Sequence, residues 1–167
     1  MKDELDVALT RLRQDGQEKS EHIFSSLIAT YPDQRDHVLR KRSLVFAEME
    51  LFDEAVQDRQ AIIDGGQQKV GDFYFAGEYA LQAGDYIAAR RYFDRVIEIA
   101  STGGDPYYLD SSSLLAALAS YQLHEDKRCR EYLNQIDDNT EVLWLKGFDR
   151  VTKQMMTEAL DRDKSSS

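Results

Sequence analysis

The sequence predicts an all-α protein: an array of about four helix-turn-helix hairpins closed by a C-terminal capping helix. Three observations carry this. First, Leu51-Phe52-Asp53-Glu54-Ala55 returns as Gly84-Asp85-Tyr86-Ile87-Ala88-Ala89, which places 34 residues between Ala55 and Ala89, the period of a helix-turn-helix repeat. Second, apolar residues recur at helical spacing along nearly the whole chain. Third, hydrophobic residues make up 42% of 167 positions and only two are proline, a composition that permits long helices and a real core. A hairpin of this kind cannot cover its own apolar face, so neighbouring copies stack, and the output of such an array is normally a binding surface.

The elements follow in order. Leu5, Ala8, Leu9 and Leu12 mark a first helix that Asp15-Gly16 ends, and Ile23, Phe24, Leu27 and Ile28 mark its partner, stopped at Tyr31-Pro32. The second pair runs through Val38, Leu39, Val45, Phe46 and Met49, turns near Leu51-Phe52 without glycine, and continues from Glu54 to Ile63 before Gly65-Gly66. The third pair sets Phe73, Ala76, Gly77 and Ala80 against Ala88, Ala89, Phe93, Val96 and Ile97 across the Ala83-Gly84-Asp85 turn. A longer loop, Ser101 to Pro106, leads to Tyr107-Tyr108 and to Asp110-Ser111, side chains suited to capping the next helix.

The fourth pair carries Leu114, Leu115, Ala117, Leu118 and Tyr121, then Cys129, Tyr132, Leu133 and Ile136. Cys129 falls 40 residues after Ala89, so the register slips once, by about the length of Gly-Gly-Asp-Pro-Tyr-Tyr. A final helix from Glu141 to about Leu160 bears Val142, Leu143, Leu145, Phe148, Val151 and Met155 and is expected to cap the array. The expected organisation is one domain over residues 1–160 with a flexible tail over 161–167.

Lys and Arg number 21 against 31 Asp and Glu, a net charge of −10. A nucleic-acid backbone would meet repulsion, whereas a basic partner would be steered inward. Cys129 is the only cysteine, which excludes an intrachain disulfide and fits a reducing compartment. The charged N-terminus and the lack of a run of about 20 apolar residues point to a cytoplasmic protein that does not enter a membrane.

The third pair resembles the tetratricopeptide repeat: Phe73, Ala76-Gly77, Gly84, Tyr86, Ala89 and Phe93 follow the family's order of aromatic, small pair, turn glycine, alanine and aromatic. Arg59 occupies the matching aromatic position in the second pair, and Ala80 stands where an aromatic is usual. The resemblance implies a right-handed superhelix whose concave groove is lined by the first helix of each pair. It places there Asp6, Thr10, Arg13, His37, Arg40, Leu44, Glu48, Tyr74, Glu78, Leu118 and Tyr121. The positions at which some family members grip a terminal carboxylate hold Arg13 and Arg40 here, without asparagine.

No pattern of catalysis emerges. His22, His37 and His124 lie on separate pairs without zinc-ligand spacing, and no nucleophile elbow or phosphate-binding glycine loop occurs. No catalytic residue, metal site or cofactor is therefore expected. Two other features stand out. Arg40-Lys41-Arg42, with Arg35, reads either as a basic island for an acidic helix or as a helix face balanced by Glu48 and Glu50; Tyr107-Tyr108 reads either as a partner contact or as inward packing. The expected function is a non-catalytic protein-interaction module holding a protein or peptide, with a basic partner the natural guess. Within that class, short acidic helical-repeat proteins resemble bacterial immunity proteins that neutralise basic toxins, and secretion chaperones. A structural subunit of a larger complex is the alternative, with Trp144, Phe148 and Met155-Met156 as an apolar stripe.

Overall fold

The computed structural model describes residues 1–143 and 150–165, and apart from one short β-hairpin its regular structure is helical. The chain falls into two compact units, residues 1–68 and 69–167.

In the first unit α1 (Lys2–Asp15) and α2 (Gln17–Thr30) are joined through the single residue Gly16, whose φ of 83° only glycine adopts freely. Tyr31 leaves the helix and Pro32 opens a short 3-10 turn, because proline cannot continue the ladder but suits a first helical position. Next come α3 (Arg35–Glu48) and α4 (Phe52–Asp64), ended at Gly65-Gly66. The core is built from the predicted stripes: Leu5, Ala8 and Leu12 of α1, Phe24 and Leu27 of α2, Val38, Leu39, Val45 and Phe46 of α3, and Ala55 and Ile62 of α4.

The second unit begins with α5 (Val70–Gln82) and α6 (Tyr86–Ser101), the pair with the clearest repeat signature. Gly84 turns the chain at φ 82°, and the Asp85 carboxylate accepts the backbone N–H of Ala88 at 2.9 Å, capping α6. Helix α7 (Leu109–Gln122) is buried on every side, with all nine residues from Ser112 to Ser120 sealed from solvent. α8 (Asp126–Leu133) then contributes Cys129, Tyr132 and Leu133 to the core.

Four helix stops share one geometry. Glu50, Gly84, Gly103 and His124 all have positive φ, and in each case the following residue donates its N–H to the carbonyl five positions back: Leu51 to Phe46, Asp85 to Ala80, Gly104 to Ile99, Glu125 to Ser120. This is a helix stop that glycine normally fills. The second and fourth hairpins build it without glycine, which is why their turns carry no glycine signal.

The end of the chain differs from the single helix expected over Glu141–Leu160. Instead β1 (Glu141–Leu143) pairs antiparallel with β2 (Arg150–Thr152), and the terminal helix α9 (Lys153–Ser165) begins only afterwards. The reason is a period of two: Val142 and Val151 are buried opposite each other while their neighbours point outward, and β-branched Val and Thr favour a pleated strand. Helix α9 packs on α7, α8 and β2 through Met156 and Leu160 and takes in the start of the segment expected to be a tail. Of the expected apolar stripe, Met155 is exposed and Met156 is buried, while Trp144 and Phe148 lie outside the described residues.

Candidate functional site

In the first unit two helix stripes face each other. On α1 Lys2, Leu5, Asp6, Leu9, Thr10 and Arg13 are linked by offsets of three and four residues, so they occupy one face. On α3 the series is His37, Lys41, Leu44, Val45, Glu48. Together these side chains line a cavity of about 680 Å³. Leu5, Leu9 and Val45 form a buried apolar floor, Leu44 is 38% exposed, and the charged side chains stand on the rim. At one end Arg13 of α1 clasps Glu48 of α3, with Nε at 2.9 Å and Nη2 at 2.7 Å from the same carboxylate oxygen. Both residues lie in the last turn of their helices, so α1 and α3 run parallel and their N-termini share the other end of the groove.

Six of the seven groove residues anticipated in this unit, Asp6, Thr10, Arg13, His37, Leu44 and Glu48, meet at this one cavity. Lys2, Leu5, Leu9, Lys41 and Val45 complete it. Helical spacing from Asp6 and Leu44 reaches Lys2, Leu9 and Lys41, whereas Leu5 and Val45 are their immediate neighbours and read as core. The Thr10 hydroxyl donates to the Asp6 carbonyl at 2.8 Å, so its oxygen is engaged with its own helix. Lys2, Arg13 and Lys41 against Asp6 and Glu48 give a nearly balanced rim; the acidic excess of the chain is not concentrated here.

Arg40 is not part of the groove: its guanidinium reaches the Gln67 carbonyl at 3.4 Å. The basic run splits three ways, because successive helical residues point about 100° apart. Lys41 faces the groove. Arg42 points inward, its guanidinium paired to Asp58 at 2.6 and 2.9 Å and to Glu21 at 3.2 Å, and lying 5.2 Å from the Phe24 ring centroid. Burial raises the Asp58 carboxyl above its ordinary value in spite of the guanidinium beside it. Arg35 is held by Asp36 and the Ala61 carbonyl. No basic island exists as a unit.

In the second unit none of the four anticipated residues is fully exposed. Tyr74 is buried, its hydroxyl donating to Glu78 Oε1 at 3.2 Å; burial pushes that hydroxyl well above the usual tyrosine range, and the Glu78 charge adds to the shift. Leu118 is a core residue of α7, and Glu78 and Tyr121 are half-buried. The tyrosine pair divides: Tyr108 packs inward on Tyr74, whereas Tyr107 is 78% exposed.

Among the described residues no three His, Cys, Asp or Glu side chains stand close enough to hold a metal ion, and no helix is long and apolar enough to cross a membrane. His37 is exposed at the groove, while His124 serves a turn. No family model matches the chain, and no curated protein matches it.

Proposed function

We propose that this protein is a non-catalytic binding module that holds a segment of a protein partner in the groove between α1 and α3. One observation carries the reading: two parallel helix stripes set an apolar floor of Leu5, Leu9 and Val45 beneath a rim of alternating charge. Such a floor with a few placed polar groups is the usual composition of a binding site. The stripes extend eleven residues along each helix, about 16 Å at 1.5 Å per residue, enough for roughly five residues of extended chain. A balanced rim selects by position of charge rather than by net charge. The spacing of the turns at Gly16, Glu50 and Gly84, 34 residues each, supports the wider reading of a tetratricopeptide-like array.

The test is quantitative capture of partners from the source cytoplasm by the full chain and by groove variants. Leu44→Glu and Lys41→Glu each lose at least tenfold of the captured partner, while Lys127→Glu, on the exposed face of α8, retains it. Equal capture by all variants removes the groove from the function.

A further inference from the structure

Asp6 and Thr10 of α1 lie ten and six residues before the turn residue Gly16 and line the open groove of the first unit. Tyr74 and Glu78 of α5 lie ten and six residues before the corresponding turn residue, Gly84. At the first of these positions α5 is nevertheless covered. The Tyr108 ring stacks on Tyr74 with centroids 4.5 Å apart and planes inclined by 23°, and meets the Phe75 ring edge-on at 6.3 Å. Gly71 completes the seat: a β-carbon there would stand 3.4 Å from the Tyr108 hydroxyl and 3.5 Å from its Cε2, so any larger side chain would press on the ring.

We propose that α5 carries a site for an aromatic side chain, formed by Gly71, Tyr74 and Phe75, and that Tyr108 is its resident intramolecular occupant. The ligand class is a planar aromatic ring, and a partner presenting one competes with Tyr108 for the seat. The strap that delivers Tyr108 is the loop between α6 and α7. Glu50 and Gly84, the turn residues of the second and third hairpins, are 34 residues apart, but Gly84 and His124 are 40 apart: α6 is three residues longer than α4, the loop after it two longer than the loop after α4, and α7 one longer than α5. At the start of that loop Gly103, at φ 89°, and Gly104, whose N–H donates to the Ile99 carbonyl at 2.9 Å, close α6. Tyr107, edge-on to Tyr108 at 4.8 Å and open to solvent, is the part of the strap an approaching partner meets first. Stacked rings of this kind gain free energy beyond the area they bury, so the seat discriminates in favour of aromatic occupants.

The test needs no partner, so its outcome is independent of the α1–α3 groove. The full chain with Tyr108→Ala is titrated with p-cresol, the tyrosine side chain as a free molecule, and with cyclohexanol as a non-aromatic control. At a tenfold excess over a millimolar Kd, p-cresol is expected to raise the Tm of the variant by about 3 to 6 °C relative to its effect on the unsubstituted protein, and cyclohexanol by less. A folded variant that responds to p-cresol no differently from the unsubstituted protein overturns the proposal. Should Tyr108→Ala not fold, Gly71→Val decides: it is expected to expel Tyr108, raising nitration of Tyr108 to the level of exposed Tyr107. Continued protection of Tyr108 in that variant, or failure of both variants to fold, makes Tyr108 an ordinary core residue and overturns the proposal equally.

Discussion

Phe93 lies so close over Gly77 that a β-carbon at that glycine would fall 2.6 Å from Cε1 of the ring and 2.9 Å from Cδ1 and Cζ. Contact at that distance forces helix or ring to move, and Phe93 is fully buried, as are Ala76 and Ala89, so neither yields freely. Gly77→Ala is expected to cost about 1–3 kcal/mol, the range of an overpacked core. Urea unfolding of a double-mutant cycle checks the cause: in a Phe93→Leu background the same glycine substitution loses most of its cost. Equal cost in both backgrounds would locate the damage elsewhere.

His124 holds a φ of 57° at the helix stop that Gly84 fills in the preceding hairpin. A residue with a β-carbon sits there at a cost of about 1–2 kcal/mol, most of which glycine avoids. His124→Gly is therefore expected to stabilise the protein by about 1 kcal/mol, seen as a rise in Tm of about 2–4 °C. Gly84→Ala is expected to shift Tm downward by a comparable amount.

These two features mark what the sequence makes legible. Close helix approach needs small residues, so Ala76-Gly77 and Ala89 announce their own packing and anchor the third hairpin. The helix pairs around them follow from apolar spacing, and α1 through α8 are found where that spacing puts them. The β-hairpin was not legible, since Leu143 beside Val142 breaks the alternation that marks a strand, and only the structure shows that Leu143 is the one facing solvent. Spacing alone puts Asp6 and Leu44 on helix faces that line one cavity. The covering of Tyr74 by Tyr108, 34 positions further on, leaves no local mark. Arg42 shows the converse: a charge in a basic run reads as surface, and only Asp58 on the next helix turns it inward.

The Arg42–Asp58 pair predicts a large and asymmetric effect. Their side chains are 13% and 6% exposed, and the guanidinium also lies near the Phe24 and Phe46 rings. Removing either partner leaves the other charge shielded from water, so Asp58→Ala is expected to cost about 3–5 kcal/mol. Arg42→Lys loses the two-pronged hydrogen bonding and is expected to be strongly destabilising in spite of the retained charge. Glu21, half exposed, contributes less: Glu21→Ala is expected to cost under about 1 kcal/mol. The Arg42→Met, Asp58→Leu double variant is expected to be more stable than either single truncation, and denaturant titration of the set measures all four.

Ser120 is wholly buried in α7, and its hydroxyl has no hydrogen-bond partner among the described residues. Keeping a hydroxyl from water without compensation disfavours the folded state, and alanine is also the better helix former. Ser120→Ala is expected to gain about 1 kcal/mol in thermal or urea unfolding. A loss instead would show that the oxygen is bonded in solution.

Cys129 is fully buried in α8, and that burial, with Asp126 nearby, pushes its thiol up to about 12. At pH 8 the thiolate fraction is then about one in ten thousand, and only the thiolate attacks a disulfide reagent. Native protein is therefore expected to show no reaction with Ellman's reagent over hours, while unfolded protein titrates one thiol per chain. Labelling in intermediate urea must proceed through opening of the second unit, so its rate at saturating reagent equals the opening rate and at low reagent follows the opening equilibrium. His124→Gly, which tightens the turn leading into α8, is expected to slow that labelling in the low-reagent regime in proportion to its gain in stability. Prompt labelling of the native chain would mean that α8 detaches on its own, and the cooperativity of the second unit would have to be divided at His124.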